Sequence, residues 1–283
     1  MRTGRQGGKP PWKAEAGVFL AVAFLGAGAL GALQPATGIP DEVVQLTQFG
    51  PAAGVLAVAL LWPERVRTRL AGTVRARRDT AWAGPGRNRV GLLLPTGPLI
   101  IALAATAYAL LGDGDARLTD PRSLAHPFTL VVLAQLVGAC GEEIGWRCYL
   151  QPLLRTRFGP LAAPVAVGVL WGCWHVQVFA QRPAYAAGFL LATVAMSVVL
   201  GLALEGVRAH RLLLAGGFHT LVNLGMLLTM DEEDGTVLPM LLLGGACLLA
   251  AVPWVLRARR AARPGVRRRT APDRIPAVRH GAR

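Results

Sequence analysis

The sequence predicts an all-α fold, a polytopic integral membrane bundle of about eight transmembrane helices, and three observations carry that prediction. The 283 residues are 53% hydrophobic and 16% charged, with a mean hydropathy of +0.43, whereas soluble domains carry about a quarter charged residues. The apolar residues gather into eight stretches close to the ~20 residues needed to cross ~30 Å of hydrocarbon. The thirty lysines and arginines, which give a net charge of +14, fall almost wholly between those stretches. That placement is topology information rather than the contiguous basic groove of a nucleic-acid binder, so no nucleic-acid partner is expected.

The expected spans run from Ala16 to Leu33, Leu46 to Trp62, Val90 to Leu111, His126 to Leu150, Leu161 to Ala180, Ala184 to Gly206, Leu212 to Met230 and Thr236 to Leu256. Arg2, Arg5, Lys9 and Lys13 precede the first span as they would a signal peptide. Its apolar run is longer than the roughly 7 to 15 residues of a signal core and the chain continues into further spans, so it reads as a retained helix. With the N-terminus in the cytoplasm, cytoplasmic segments hold twenty-six of the thirty lysines and arginines, and the outer loops hold Arg117, Arg122 and Arg182. The outer loops also carry Asp41, Glu42, Asp113, Asp115, Asp120 and the run Asp231 to Asp234. Both termini are therefore expected inside, in a multi-pass protein of a bacterial cell membrane.

The expected organisation is a basic cytoplasmic segment at 1–15, an N-terminal transmembrane region at 16–122 with a basic cytoplasmic loop at 63–89, a core at 123–230, a last helix at 231–256, and a basic tail at 257–283. The tail lacks apolar periodicity and is expected to be disordered, lying on anionic lipid. The four cysteines, Cys140, Cys148, Cys173 and Cys247, all sit in apolar runs and read as buried thiols rather than a disulfide framework. No internal repeat is evident, which weighs against a transporter built from duplicated halves.

Charged groups inside a bilayer cost ~2.5 to 3.5 kcal/mol each on insertion scales, so their placement points to function. The fourth span holds Glu142, Glu143 and Arg147, the fifth His175, and the seventh His219 with Asn223. Residues four apart share a helix face, so Glu143 and Arg147 are expected to form an ion pair, acid before base. Glu142 then lies about 140° from Arg147 around the helix, with no partner in its own helix. His219 and Asn223 share a face in the same way and offer an imidazole and a carboxamide together. At ~1.5 Å per residue, Glu142 and His219 lie about 12 Å and 11 Å from the inner ends of their spans.

These residues resemble, in order, the three motifs of the CPBP family of intramembrane glutamic proteases: Glu142-Glu143-Ile-Gly-Trp-Arg147, an aromatic residue four before His175, and His219 four before Asn223. That family includes the type II CAAX prenyl endopeptidases and the bacterial Abi and bacteriocin-immunity-related proteins. The likeness covers Phe128 to Met230, with one departure. The middle motif usually opens with phenylalanine, and here Trp171 stands in that place as an aromatic wall.

Peptide hydrolysis needs a base to activate water, donors for the oxyanion and a proton for the leaving amine. The expected assignment makes Glu142 the general base and has His175 hold the water and shuttle its proton. His219 and Asn223 serve as the oxyanion donors, and Glu143 is a second acid or base or, by its spacing to Arg147, an orienting partner. The family resemblance implies the same division, a membrane-associated peptide or protein is the expected substrate, and the carboxylate-histidine set without a zinc signature leads to no expected cofactor. A zinc site made from Glu142, Glu143, His175 and His219 is the rival chemistry, although no His-Glu-x-x-His helix is present. Cys173 is two residues from His175 and does not face it on a helix, which disfavours a cysteine nucleophile. The remaining readings are a proton-coupled transporter, in which the same groups form a relay, and a non-catalytic immunity or scaffold protein.

Overall fold

The computed structural model describes residues 12–41, 43–74, 87–112, 118–230 and 236–262. The basic N-terminal positions Arg2 to Lys9, the middle of the 63–89 loop, the outer-loop residues Glu42, Asp113, Asp115, Arg117 and Asp231 to Asp234, and the tail from residue 263 lie outside the described residues. The described residues form helices joined by turns, an all-α fold.

Helix α1 (Trp12–Thr37) is the first long apolar element. Glu15 in its first turn is fully buried and accepts from Arg65 and Arg69 of α3 (Pro63–Arg69). Near the other end, the Gln34 amide donates to the carbonyls of Ile39 (3.2 Å) and Val44 (2.8 Å) and accepts from the Leu46 N–H (2.7 Å). One side chain thus satisfies three backbone groups of the 38–46 loop. That loop delivers a 3₁₀ turn (Leu46–Phe49) and then α2 (Gly50–Leu61), which packs back along α1.

Helix α4 (Arg87–Leu111) follows, then α5 (Phe128–Gly145), a π-helical turn (Trp146–Leu150) and α6 (Gln151–Trp174). The whole of Phe128–Trp174 is helical, 47 residues, which in a straight rod would reach ~70 Å, twice a hydrocarbon core. It is broken at Gly159, where φ is +81° and ψ 178°, immediately before Pro160. Only glycine adopts that conformation without cost, and proline suits the first turn of the helix that resumes. The fifth expected span thus starts one residue earlier than Leu161, and it ends earlier too. Helix α6 stops at Trp174 and a 3₁₀ turn (Val176–Ala180) takes over.

Helix α7 (Pro183–Ala203) is the central post, with 72% of its apolar window buried, packed between α6 and α9 (Val237–Ala262). Helix α8 (Arg211–Thr229) lies against α5 and α4. Its first residue ties it to the segment after α3, where the Arg211 guanidinium donates to the carbonyls of Arg69 (2.8 Å) and Ala71 (3.1 Å).

Among the described residues, six helical stretches are long and apolar enough to cross a membrane: Trp12–Thr37, Arg89–Leu111, Phe128–Trp174, Pro183–Ala203, Arg211–Thr229 and Val237–Ala261. The second expected span is corrected to the shorter Leu46–Leu61, whose α-helical part is 12 residues and rises only ~18 Å. The four cysteines are free, with Cys148 and Cys247 buried and Cys140 and Cys173 partly so.

Candidate active site

Helices α5, α6 and α8 and the 3₁₀ turn before α2 bring the polar groups together. Glu142 and Glu143, both buried, sit at the end of α5 just before the π turn that carries Arg147. A π turn inside a helical run is rare and is found mostly at functional sites. Here it follows directly on the paired acids.

The two glutamates have different partners. Glu143 Oε1 meets Arg147 at 3.3 Å and the Nδ1 of His219 at 3.0 Å, so one carboxylate oxygen joins α5, the π turn and α8. All three side chains are nearly or fully buried. Glu142 meets neutral donors instead. Its Oε2 accepts from the Trp171 indole N–H at 2.7 Å and its Oε1 from the Gln48 amide at 3.3 Å. Its hydrogen-bond partners among the described residues come from α6 and the 3₁₀ turn.

Trp171 is more than an aromatic wall. Its N–H binds Glu142, the Arg147 guanidinium stands 4.1 Å above its ring centre, and the His219 ring meets it edge-on at 5.2 Å. The indole therefore touches both glutamate environments. A guanidinium over an aromatic face is held by the ring quadrupole, which helps to offset its desolvation.

His175 is not on a helix, which corrects its expected setting. It follows the last residue of α6 with φ −77° and ψ 66°. Its Nδ1 lies 2.9 Å from the Trp171 carbonyl oxygen. A carbonyl only accepts, so Nδ1 carries a proton, and it is Nε2 that can gain or lose one. The rings of Trp174 and Phe189 enclose the imidazole at 4.8 and 4.9 Å. His175 and Glu142 line one cavity of about 150 Å³, with Gln45, Thr47 and Gln48 on the opposite element.

Asn223 stands apart from these groups in its bonding. Its amide donates to Gln135 of α5 at 3.2 Å, leaving a second N–H and the carbonyl for other partners. Among the described residues, no three His, Cys, Asp or Glu side chains gather as a metal site would require. The four residues weighed for zinc do not converge. Glu142 turns to Gln48 and Trp171, whereas Glu143 and His219 bind each other.

Sequence reasoning missed Gln48, Gln135 and the donor role of Trp171. A lone carboxamide in the apolar run Leu46–Leu61 was a signal for Gln48, but a search for charged groups passes over it.

Residues 124–225 match the family described as Type II CAAX prenyl endopeptidase Rce1-like. That part of the chain is thus similar to the Rce1-like CAAX prenyl endopeptidases. It contains both glutamates, Arg147, Trp171, His175, His219 and Asn223, and excludes Gln48. Over 248 residues the chain is 21% identical to Lysostaphin resistance protein A of Staphylococcus aureus, in strains bovine RF122 / ET3-1, Newman and USA300 alike. The alignment covers 86% of this chain and 56% of the relative, so the chain spans about half the length of the curated relatives it matches.

Proposed function

We propose that the protein is an intramembrane endopeptidase that hydrolyses a peptide bond of a membrane-associated substrate. The observation that carries the reading is the cavity that Glu142 and His175 line together, with His175 Nδ1 engaged by the Trp171 carbonyl. Two of the roughly four lone-pair sites of Glu142 are taken by N–H donors, and the others remain to accept a proton from water. Glu142 takes that proton as the water oxygen bonds to the carbonyl carbon. The proton then passes, through His175, to the amine nitrogen as the C–N bond breaks, giving a new carboxyl and a new amino terminus.

Charge that develops on the carbonyl oxygen needs donors. His219 already uses Nδ1 on Glu143, so only a doubly protonated ring can donate from Nε2 as well. The Glu143 carboxylate offsets the charge of that imidazolium. Asn223, one helical turn on, has a second N–H to add. Glu143 is thus a positioning residue that holds His219 and Arg147.

The topology that goes with this reading has eight crossings. The broken Phe128–Trp174 stretch supplies two and the short Leu46–Leu61 stretch one, with both termini cytoplasmic and the basic segments against anionic lipid. Reporter fusions after Pro63, Asp113, Arg155 and Asp231 test it, and an outside location for the 63–89 loop overturns it.

The test of the activity compares peptide termini across membranes that hold the wild-type protein or Glu142→Ala. New termini that depend on Glu142 are expected. Purified protein acting on a peptide so found should keep its rate in a strong chelator, and loss of rate with recovery on added zinc would put metal chemistry in place of this mechanism. The curated relatives are named for resistance rather than for cleavage, which favours a non-catalytic membrane protein as the second reading. Identical termini in the two membranes would support it.

A further inference from the structure

Glu142 receives one donor on each carboxylate oxygen, and the structure behind each donor is held in place. The Trp171 indole is held by Arg147 over its face and His219 at its edge. Gln48, only 6% exposed, sits in the 3₁₀ turn whose approach is fixed by the three hydrogen bonds of Gln34. It reaches Glu142 because residue 138 is glycine, since a Cβ there would stand 2.0 Å from Gln48 Oε1. Among the described residues that oxygen is buried and meets no hydrogen-bond donor. An orphaned buried acceptor costs stability that an apolar side chain of the same size would not. The other end of the amide donates to Glu142.

We infer that Gln48 and Trp171 form a two-donor clamp that holds the Glu142 carboxylate in one orientation, its unused lone pairs toward the cavity and His175. Both are positioning residues. One comes from the family-matched part of the chain and the other from the N-terminal region outside it, so the site is incomplete without the 3₁₀ turn. The tryptophan that replaces the usual phenylalanine supplies the second donor, a group that phenylalanine lacks. This inference rests on the endopeptidase reading for its catalytic meaning and on geometry alone for the clamp.

The experiment has two readouts on the purified full chain in lipid nanodiscs. The first is the ¹⁵N–¹H resonance of the Trp171 indole, identified by its loss in Trp171→Phe. It is expected to move upfield in Glu142→Gln, and an indifferent resonance overturns the clamp whatever the activity. The second is cleavage of a peptide that the wild type cuts and Glu142→Gln does not. Gln48→Met and Trp171→Phe should each lower kcat about tenfold, the scale of one hydrogen bond to a charged group. KM should stay within about twofold, because the clamp acts on the base rather than on bound substrate. The double variant should lose less than the product of the single losses, because both donors act on one carboxylate. An unchanged kcat in both single variants overturns the positioning role. If the wild type and Glu142→Gln behave alike on every peptide, the endopeptidase reading fails, and the clamp becomes a structural bridge that the indole resonance still reports.

Discussion

On one side of the end of α5, Glu142 accepts neutral N–H groups from Gln48 and Trp171 and borders a cavity with His175. On the other, Glu143 is wholly buried between Arg147 and His219. Two adjacent carboxylates are thus held by different chemistry. Neutral donors orient a carboxylate without cancelling its charge, which leaves it able to take a proton. A guanidinium and an imidazole neutralise a carboxylate and lock three elements together through it. The difference teaches that one step along a helix, about 100° of rotation, is enough to give two adjacent carboxylates different partners.

The comparison breaks most directly at Glu142. Glu142→Gln keeps the shape and removes the base, so cleavage should fall about 10³-fold, the range of a lost general base. Thermal unfolding of the detergent-purified protein should stay near that of the wild type. A variant that cuts as fast as the wild type would strip Glu142 of its role.

Glu143→Gln should do the reverse in the stability assay. It leaves the Arg147 guanidinium buried without the carboxylate it pairs with, and losing one partner of a buried pair costs ~3 to 5 kcal/mol. The melting temperature should drop, and adding Arg147→Met should restore part of the loss by removing the stranded charge. Recovery is expected to be incomplete because the hydrogen bond from His219 then ends on a neutral amide oxygen instead of a carboxylate. If Arg147→Met makes no difference, the ion pair is not what Glu143 contributes.

The half of this comparison that rests on charge was legible in the sequence. A carboxylate or guanidinium inside an apolar run is costly enough to be conspicuous, and helical spacing alone pairs Glu143 with Arg147. The half that rests on neutral groups was not. Gln48 barely alters the hydropathy of its segment, and its partner is 94 positions away. The indole of Trp171 reads as apolar bulk until a carboxylate is seen at its nitrogen. The long helices were legible from apolar length, and the break at Gly159 had its Gly-Pro signal. The exit of the chain from helix at His175 had no breaker before it, because its geometry is set by the ring–carbonyl bond and the aromatic packing around it. Glu15 lay one residue outside its expected span, and nothing local pointed to Arg65 or Arg69.

The smallest expected effects come from two glycines on α5, and they separate the clamp from the packing beneath it. A Cβ on Gly145 would stand 2.5 Å from Pro51 Cβ and 3.0 Å from the Pro51 carbonyl oxygen. Ring and backbone cannot turn aside, so α2 must move. Overpacking of that kind costs about 1 to 3 kcal/mol, offset in part by the roughly 1 kcal/mol that alanine gains over glycine in a helix. Gly145→Ala should therefore lower the melting temperature modestly. A Cβ on Gly138 meets the tip of the Gln48 side chain instead, 2.0 Å from Oε1 and 2.8 Å from Cδ. A flexible side chain can rotate away at little cost, so Gly138→Ala should unfold close to the wild-type temperature. It cannot do so and still donate to Glu142. The same variant should then lose about tenfold in kcat, the cost of one charge-assisted hydrogen bond, and match Gln48→Met while leaving Gln48 itself in place. Gly138→Ala with wild-type kcat would mean that the amide finds another way to the carboxylate or is not needed there.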